Sequence, residues 1–105
     1  MLACAICGRR VTSTADRVSV AGGHEHTFTN PHGYRYRIGC FRRADGCVPI
    51  GDPSSFFTWF PPYAWQIENC VGCLSHLGWL FRHGTDGFHG LVLDRLVEIE
   101  EEPYP

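Results

Sequence analysis

The sequence predicts a small all-β domain of antiparallel strands. Three observations carry that expectation. Short runs of β-branched and aromatic residues, several alternating with period two, are bounded by turn residues, the pattern of half-buried strands. Twelve Gly and seven Pro in 105 residues punctuate the chain too often for long helices. A hydrophobic share of 44% against 19% charged residues is globular, and the length admits one core.

In chain order, Arg17 to Ala21 reads as a strand, Gly22-Gly23 as a turn and His24 to Thr29 as the partner strand. Asn30-Pro31-His32-Gly33 is a strong turn, because Pro presets φ at one central position and Gly accepts positive φ. Tyr34 to Phe41 alternates, with Tyr34, Tyr36, Ile38 and Cys40 on one face and Arg35 and Arg37 on the other. Further strands are expected at 47–50, 63–69, 77–82 and 88–93. Between Leu91 and Ile99 the spacing of Leu93, Leu96 and Val97 suits one short helical turn. Residues 98–105 begin with an acidic run and read as a solvated, frayed tail on a single domain spanning 1–105.

Composition narrows the function. No apolar run approaches the ~20 residues of a membrane span. Met1-Leu2-Ala3-Cys4 is no secretory signal, so a cytoplasmic chain without membrane attachment is expected. Nine basic side chains, all Arg, face eleven acidic ones for a net charge of −2. That balance disfavours a phosphate-binding surface, and no nucleic-acid partner is expected. Six cysteines without a secretory signal point to metal before disulfides. A chain of this length can bury a core unaided, so a metal would reinforce the fold rather than replace it.

The cysteines supply such a site. Cys4-Ala5-Ile6-Cys7-Gly8 and Cys70-Val71-Gly72-Cys73 are two C-x-x-C pairs, each able to place two thiolates on one side of a tight knuckle. Two knuckles together make a tetrahedral S₄ site, which suits Zn²⁺. Gly8 and Gly72 are expected to supply the permissive dihedrals such knuckles need. Four protein ligands close the coordination sphere, so this Zn²⁺ would hold structure and do no chemistry. Four thiolates and one Zn²⁺ would take the net charge from −2 to −4. His76, three residues after Cys73, is an alternative ligand. Cys40 and Cys47 read as small buried hydrophobes on neighbouring strands, with a nucleophile and resolving thiol, or a hairpin disulfide, as the competing readings.

The densest chemistry lies in the run from Phe56 to Trp65 and in Gly78-Trp79-Leu80-Phe81, which together hold all three Trp of the chain. Trp79 and Phe81, two apart on a strand, face the same way. Trp59 and Trp65 flank Pro61-Pro62 and can converge if that segment folds back. Hydrophobic core is one reading of these rings. The other is an aromatic cage, which holds a methylated ammonium by cation–π attraction or a flat neutral ring on its faces. The nearby Glu68 has the opposite strand parity from Trp65 and Ile67, which favours a neutral ligand over a cation.

In this order the motifs resemble the thalidomide-binding (CULT) domain of the cereblon family, and more closely its stand-alone bacterial homologues. They are the first C-x-x-C pair, Asn30-Pro31-His32-Gly33-Tyr34, Trp59-Phe60-Pro61-x-Tyr63-Ala64-Trp65, the second C-x-x-C pair, His76-Leu77-Gly78-Trp79-x-Phe81 and Gly90-Leu91. The resemblance runs from Cys4 to about Leu93. It implies a β-tent, two antiparallel sheets meeting at an angle and pinned by zinc on Cys4, Cys7, Cys70 and Cys73. It also implies a pocket for a glutarimide or related cyclic imide, free or at the C-terminus of a damaged protein, or for a uridine-like ring.

By that resemblance Trp59, Trp65 and Trp79 form three walls and Phe81 the floor. The carbonyl of Phe57 and the N–H of Trp59 hold the imide, and Asn30 closes over it with His32 beside it. The animal proteins have His where this chain has Phe57, so one side-chain hydrogen bond, worth ~1 kcal/mol, is lost here. Pro62 replaces a common Gly, which implies a rebuilt turn between Trp59 and Trp65. The family's Lon-like domain and ubiquitin-ligase adaptor segment have no room in this chain, so a binding module is expected, with no adaptor and no enzyme activity. The competing enzyme reading is a B-type methionine sulfoxide reductase on a related zinc-pinned β fold, with Cys40 or Cys47 as nucleophile. Its arginine–aromatic–cysteine–x–asparagine strand is missing from Arg35-Tyr36-Arg37.

Overall fold

The computed structural model describes residues 1–100. Among these residues nine strands form two antiparallel sheets, as expected, and there is no α-helix. The strands are β1 (Leu2–Cys4), β2 (Arg10–Thr12), β3 (Glu25–Thr29), β4 (Arg35–Phe41), β5 (Cys47–Ser54), β6 (Ala64–Cys70), β7 (His76–His83), β8 (Asp86–Val92) and β9 (Leu96–Glu98). The small sheet has the order β2-β1-β9, and the large sheet β3-β4-β8-β7-β6-β5. No helix of the described residues is long and apolar enough to cross a membrane.

The three strands of the small sheet escape a sequence reading because each is only three residues long. A hairpin links β1 to β2, and β9 returns to pair with β1 through Leu2↔Glu98, Ala3↔Val97 and Cys4↔Leu96. The ladder continues where the Ile99 N–H donates to the Met1 carbonyl at 2.9 Å. Glu98 and Ile99 are therefore tied to the sheet rather than frayed, and the acidic positions beyond 100 lie outside the described residues. The expected helical turn is present as a single 3₁₀ turn, Leu93–Arg95.

Arg17 to Ala21 is not a strand. Ser13 caps a 3₁₀ turn, Thr14–Asp16, by accepting the Ala15 N–H on its hydroxyl at 3.1 Å, and only isolated bridges follow. The reason lies in β4, both of whose edges are already occupied by β3 and β8. The 17–20 segment gains only the end of that ladder, where the Val18 N–H donates to the Cys40 carbonyl at 3.0 Å. By contrast, β5 outruns its expected end at Ile50. It is an edge strand, so the missing donors of Pro49 and Pro53 are tolerated there, and a register shift between Ile50 and Ser54 absorbs Gly51.

The middle of the large sheet is buried on both faces, which is why β4 stops alternating and is buried from Ile38 through Phe41. One apolar cluster, including Leu2, Val11, Phe41, Leu77, Leu91 and Leu96, joins the two sheets. A second, with Ile38, Cys40, Phe60, Phe81, Phe88 and Val92, lies beneath the aromatic loop between β5 and β6. The functional features are built at these two junctions.

Candidate functional site

Each C-x-x-C pair is the connection of a β-hairpin, one from each sheet: β1 to β2 and β6 to β7. The two loops share a hydrogen-bond pattern. The Cys4 N–H donates to the Arg9 carbonyl and the Cys70 N–H to the Ser75 carbonyl, both at 2.8 Å. The Gly8 N–H closes on the Cys4 carbonyl at 2.9 Å and the Leu74 N–H on the Cys70 carbonyl at 2.8 Å. Equivalent positions therefore hold Gly8 at φ 78° and Leu74 at φ 64°. Gly72 is thus not the second knuckle's positive-φ residue. It is small for another reason: a Cβ there would lie 2.9 Å from Arg9 Cδ and 3.4 Å from Cys7 Sγ.

Leu74 is 61% exposed, so it gains little burial for its left-handed backbone. The expected result is that Leu74→Gly stabilises the domain by about 0.5–1 kcal/mol, a rise of a few degrees in thermal midpoint. An unchanged or lower midpoint in a thermal melt would contradict it.

The four sulfurs of Cys4, Cys7, Cys70 and Cys73 all lie within 4.8 Å of one another. Cys4 Sγ is 3.7 Å from Cys73 Sγ, and Cys7 Sγ is 3.6 Å from Cys70 Sγ. A tetrahedron with metal–sulfur bonds of about 2.3 Å has edges of about 3.8 Å, so the donor set fits a tetrahedral thiolate-binding ion. Donors face some of the sulfurs, whereas at Cys7 the Arg9 N–H lowers the thiol's pKa but desolvation and the three neighbouring cysteines outweigh it and push it up to about 11. The Gly72 N–H points at Cys70 Sγ at 3.4 Å, and the Ser75 hydroxyl lies 3.1 Å from Cys73 Sγ. Burial raises the pKa of Cys4, but the backbone N–H groups of Cys7 and Ile6 and the Ser75 hydroxyl bring it down to about 6.

His76 is not part of this cluster. Its Nε2 lies 2.9 Å from the Gly78 carbonyl and its Nδ1 faces the Arg95 guanidinium at 3.2 Å. A carbonyl only accepts and a guanidinium only donates, so Nε2 carries the proton and Nδ1 is bare. Burial lowers its pKa, the Gly78 bond opposes that shift, and the Arg95 charge reinforces it. Neither Cys40 nor Cys47 contributes a sulfur to the cluster, although Cys47 sits directly across from Cys70 in the ladder between β5 and β6. Cys40 is fully buried and burial pushes its thiol up to about 11. Cys47 is pushed up by burial and by the charges of Glu68 and neighbouring thiols. Neither is poised as a thiolate nucleophile.

On the far side of the large sheet from the core it shares with the small sheet lies a cavity of about 370 Å³. The sequence-predicted Asn30, Phe57, Trp59, Trp65, Trp79 and Phe81 all border it. So do Pro31, His32, Tyr36, Phe56, Ile67 and His76. The pairings Trp65↔Phe81 and Ile67↔Trp79 put two strands' large side chains on one face. Trp59 meets Trp79 edge to face at 4.8 Å and stacks on Phe28 at 5.0 Å. Trp65 is held by donating its indole N–H to the Phe56 carbonyl at 2.7 Å. Among the described residues the buried indole N–H of Trp59 has no partner.

Two loops frame the opening. In the β3–β4 hairpin the Asn30 side-chain oxygen accepts the N–H groups of His32 and Tyr34 at 3.0 and 2.9 Å, so Asn30 shapes its own turn. In the β5–β6 loop the Pro61–Pro62 bond is cis, the Tyr63 N–H donates to the Phe60 carbonyl at 2.7 Å, and Phe57 has φ 54°. Among the described residues no hydrogen bond engages the Phe57 carbonyl or the Trp59 N–H. Glu68 points elsewhere: it is 1% exposed, and its oxygens accept from His89 Nδ1 at 2.9 and 2.8 Å. The parity argument that set Glu68 apart from Trp65 therefore holds.

Among the described residues no Asp, Glu, Lys or Arg borders the cavity. Tyr36, Ile67 and His76 were not anticipated as wall residues. The face shared by Trp65 and Ile67 could have found one of them. Tyr36 enters from β4, remote in sequence, while His76 lies three residues before Trp79 on β7, where a register shift opposite Glu68 and Asn69 alters the alternation.

Two antiparallel sheets, a cluster of four cysteines drawn from one hairpin of each and able to hold a metal ion, and a cavity walled by tryptophan fit the class of ligand-binding domains. No family model matches the chain. It is similar to cereblon of Danio rerio, with 44% identity over 54 residues covering 51% of this chain and 12% of that protein. It is also 36% identical to cereblon of Gallus gallus over 84 residues, 71% of this chain and 19% of that protein. Cereblon of Drosophila erecta is 32% identical over 82 residues, 75% of this chain and 14% of that protein. The chain belongs with the cereblon-like CULT domains, and it spans less than a fifth of the length of these relatives.

Proposed function

We propose that this chain is a single-domain binding module that holds a flat, uncharged ring of the cyclic-imide or uridine-like class in its aromatic cavity. The observation that carries the reading is the cavity wall, in which aromatic rings predominate and, among the described residues, no Asp, Glu, Lys or Arg takes part. A methylated ammonium would leave its charge without a carboxylate, whereas a neutral imide needs only ring contact and a few hydrogen bonds. In this reading Trp59, Trp65 and Trp79 are the walls and Phe81 the floor. The Phe57 carbonyl accepts the imide N–H, the Trp59 N–H donates to an imide carbonyl, and the Asn30 turn closes the opening. The imide would be a free small molecule or the C-terminal residue of a peptide.

Cys4, Cys7, Cys70 and Cys73 hold Zn²⁺ in a structural role, fixing the two hairpins relative to each other. We assign the module no chemistry of its own and no ubiquitin-ligase adaptor, and place it in the cytoplasm. Isothermal titration of the protein with glutarimide and with thalidomide tests the reading. Saturable binding with a Kd in the micromolar range is expected for thalidomide. Absence of any heat or thermal stabilisation at millimolar glutarimide would sink it.

A further inference from the structure

We propose that Arg95 is a positioning residue for the aromatic cavity, holding His76 and Tyr36 against Trp79 from outside the slot. Its consequence for binding rests on the ring-binding function proposed above; its geometry does not. Arg95 ends the 3₁₀ turn that carries the chain from β8 of the large sheet to β9 of the small one. Its carbonyl accepts the Ala5 N–H at 3.0 Å, so its backbone is anchored within the first cysteine knuckle. From that anchor its guanidinium reaches the back of the cavity wall. Nη1 donates to the His76 carbonyl at 2.9 Å and faces His76 Nδ1 at 3.2 Å, while the guanidinium carbon lies 5.6 Å from the Tyr36 ring centre.

Both residues it touches abut the same wall. The His76 ring stands edge-on to Trp79 at 4.8 Å and 87°, and the Tyr36 ring at 5.1 Å and 79°. A planar fork that only donates selects the His76 tautomer with bare Nδ1, leaving the Nε2 proton for the Gly78 carbonyl. One side chain thus fixes the tautomer and orientation of one wall residue and covers the back of another. Arg95 does not itself border the cavity. Its effect must pass through His76, Tyr36 and Trp79, by limiting the rotamers a bound ring would otherwise have to freeze.

The test compares the parent protein with Arg95→Met, which keeps an apolar stem without donors, and Arg95→Lys, which keeps the charge without the fork. Three quantities are read: glutarimide affinity, bound zinc per chain, and the ¹⁵N signals of the His76 ring, which report its tautomer. Arg95→Met is expected to bind glutarimide about tenfold more weakly, the size of one lost charge-assisted hydrogen bond. Its His76 nitrogens should move toward mixed tautomers, its zinc content should stay at the parent level, and Arg95→Lys should recover part of the affinity. Parent-like His76 signals in Arg95→Met, or unchanged affinity despite altered signals, would overturn the proposal. If the parent itself binds no imide, the ring-binding function falls and the His76 signals alone decide the role of Arg95. If Arg95→Met does not fold, Arg95→Lys carries the decision through affinity: glutarimide binding equal to the parent's would show that the fork is not needed and overturn the proposal.

Discussion

Trp79→Ala is expected to abolish ring binding while leaving a folded, metal-binding domain. Trp79 is the hub of the wall, with Trp59, Tyr36 and His76 rings at 4.8, 5.1 and 4.8 Å. Truncating it removes one stacking face and frees the three rings that it orients. A central aromatic anchor in a desolvated pocket is worth about 2–4 kcal/mol, so affinity should fall at least about thirtyfold. The fold should lose about 2–3 kcal/mol, less than a fully buried Trp would cost, because Trp79 is only partly buried. Calorimetry with thalidomide, beside a thermal melt and a metal assay on the same sample, separates the two effects. Affinity within threefold of the parent would move the binding site away from this cavity.

The largest stability effect is expected from the metal. Cys70 is fully buried, contributes a sulfur to the cluster and packs in the core that joins the sheets. Cys70→Ser leaves three sulfurs and a hydroxyl that is a poor ligand for a soft site. Structural zinc contributes on the order of 10 kcal/mol to small metal-dependent folds. Here the core already holds part of the structure, so a loss of about 4 kcal/mol or more is expected, roughly 20 °C in thermal midpoint. A strong chelator should produce the same drop in the parent, reversed by adding Zn²⁺. Cys70→Ser retaining stoichiometric metal and the parent melting curve would remove the cluster from any stabilising role.

What the sequence disclosed and what it hid divide along a physical line. Features encoded by residues close together were legible. The C-x-x-C pairs, the Asn30–Gly33 turn and the shared face of Trp79 and Phe81 each follow from local spacing. Features that depend on who sits beside whom were not. Arg17 to Ala21 has strand composition, yet β4 has no free edge to give it. The second half of β5 contains a Pro and a Gly that argue against a strand, yet an edge position tolerates them. Leu74 carries the left-handed backbone expected of a glycine, imposed by a knuckle whose two ends are fixed by β6 and β7. Tyr36 becomes a wall residue only once β4 is placed in the sheet, and His76 only through the register shift in β7 between it and Gly78. The ring assigned to metal as an alternative, His76, instead lies between that wall and Arg95.

The placement of the indoles has an optical consequence. All three tryptophans of the chain border one cavity, so no indole elsewhere adds a background emission. They sit in unlike surroundings: Trp59 with its N–H buried and, among the described residues, unpaired, Trp65 bonded to a carbonyl, and Trp79 edge-on to an imidazole. Excited where only indoles absorb, the unlabelled protein therefore emits from one place, and the colour and yield of that light measure what fills the cavity.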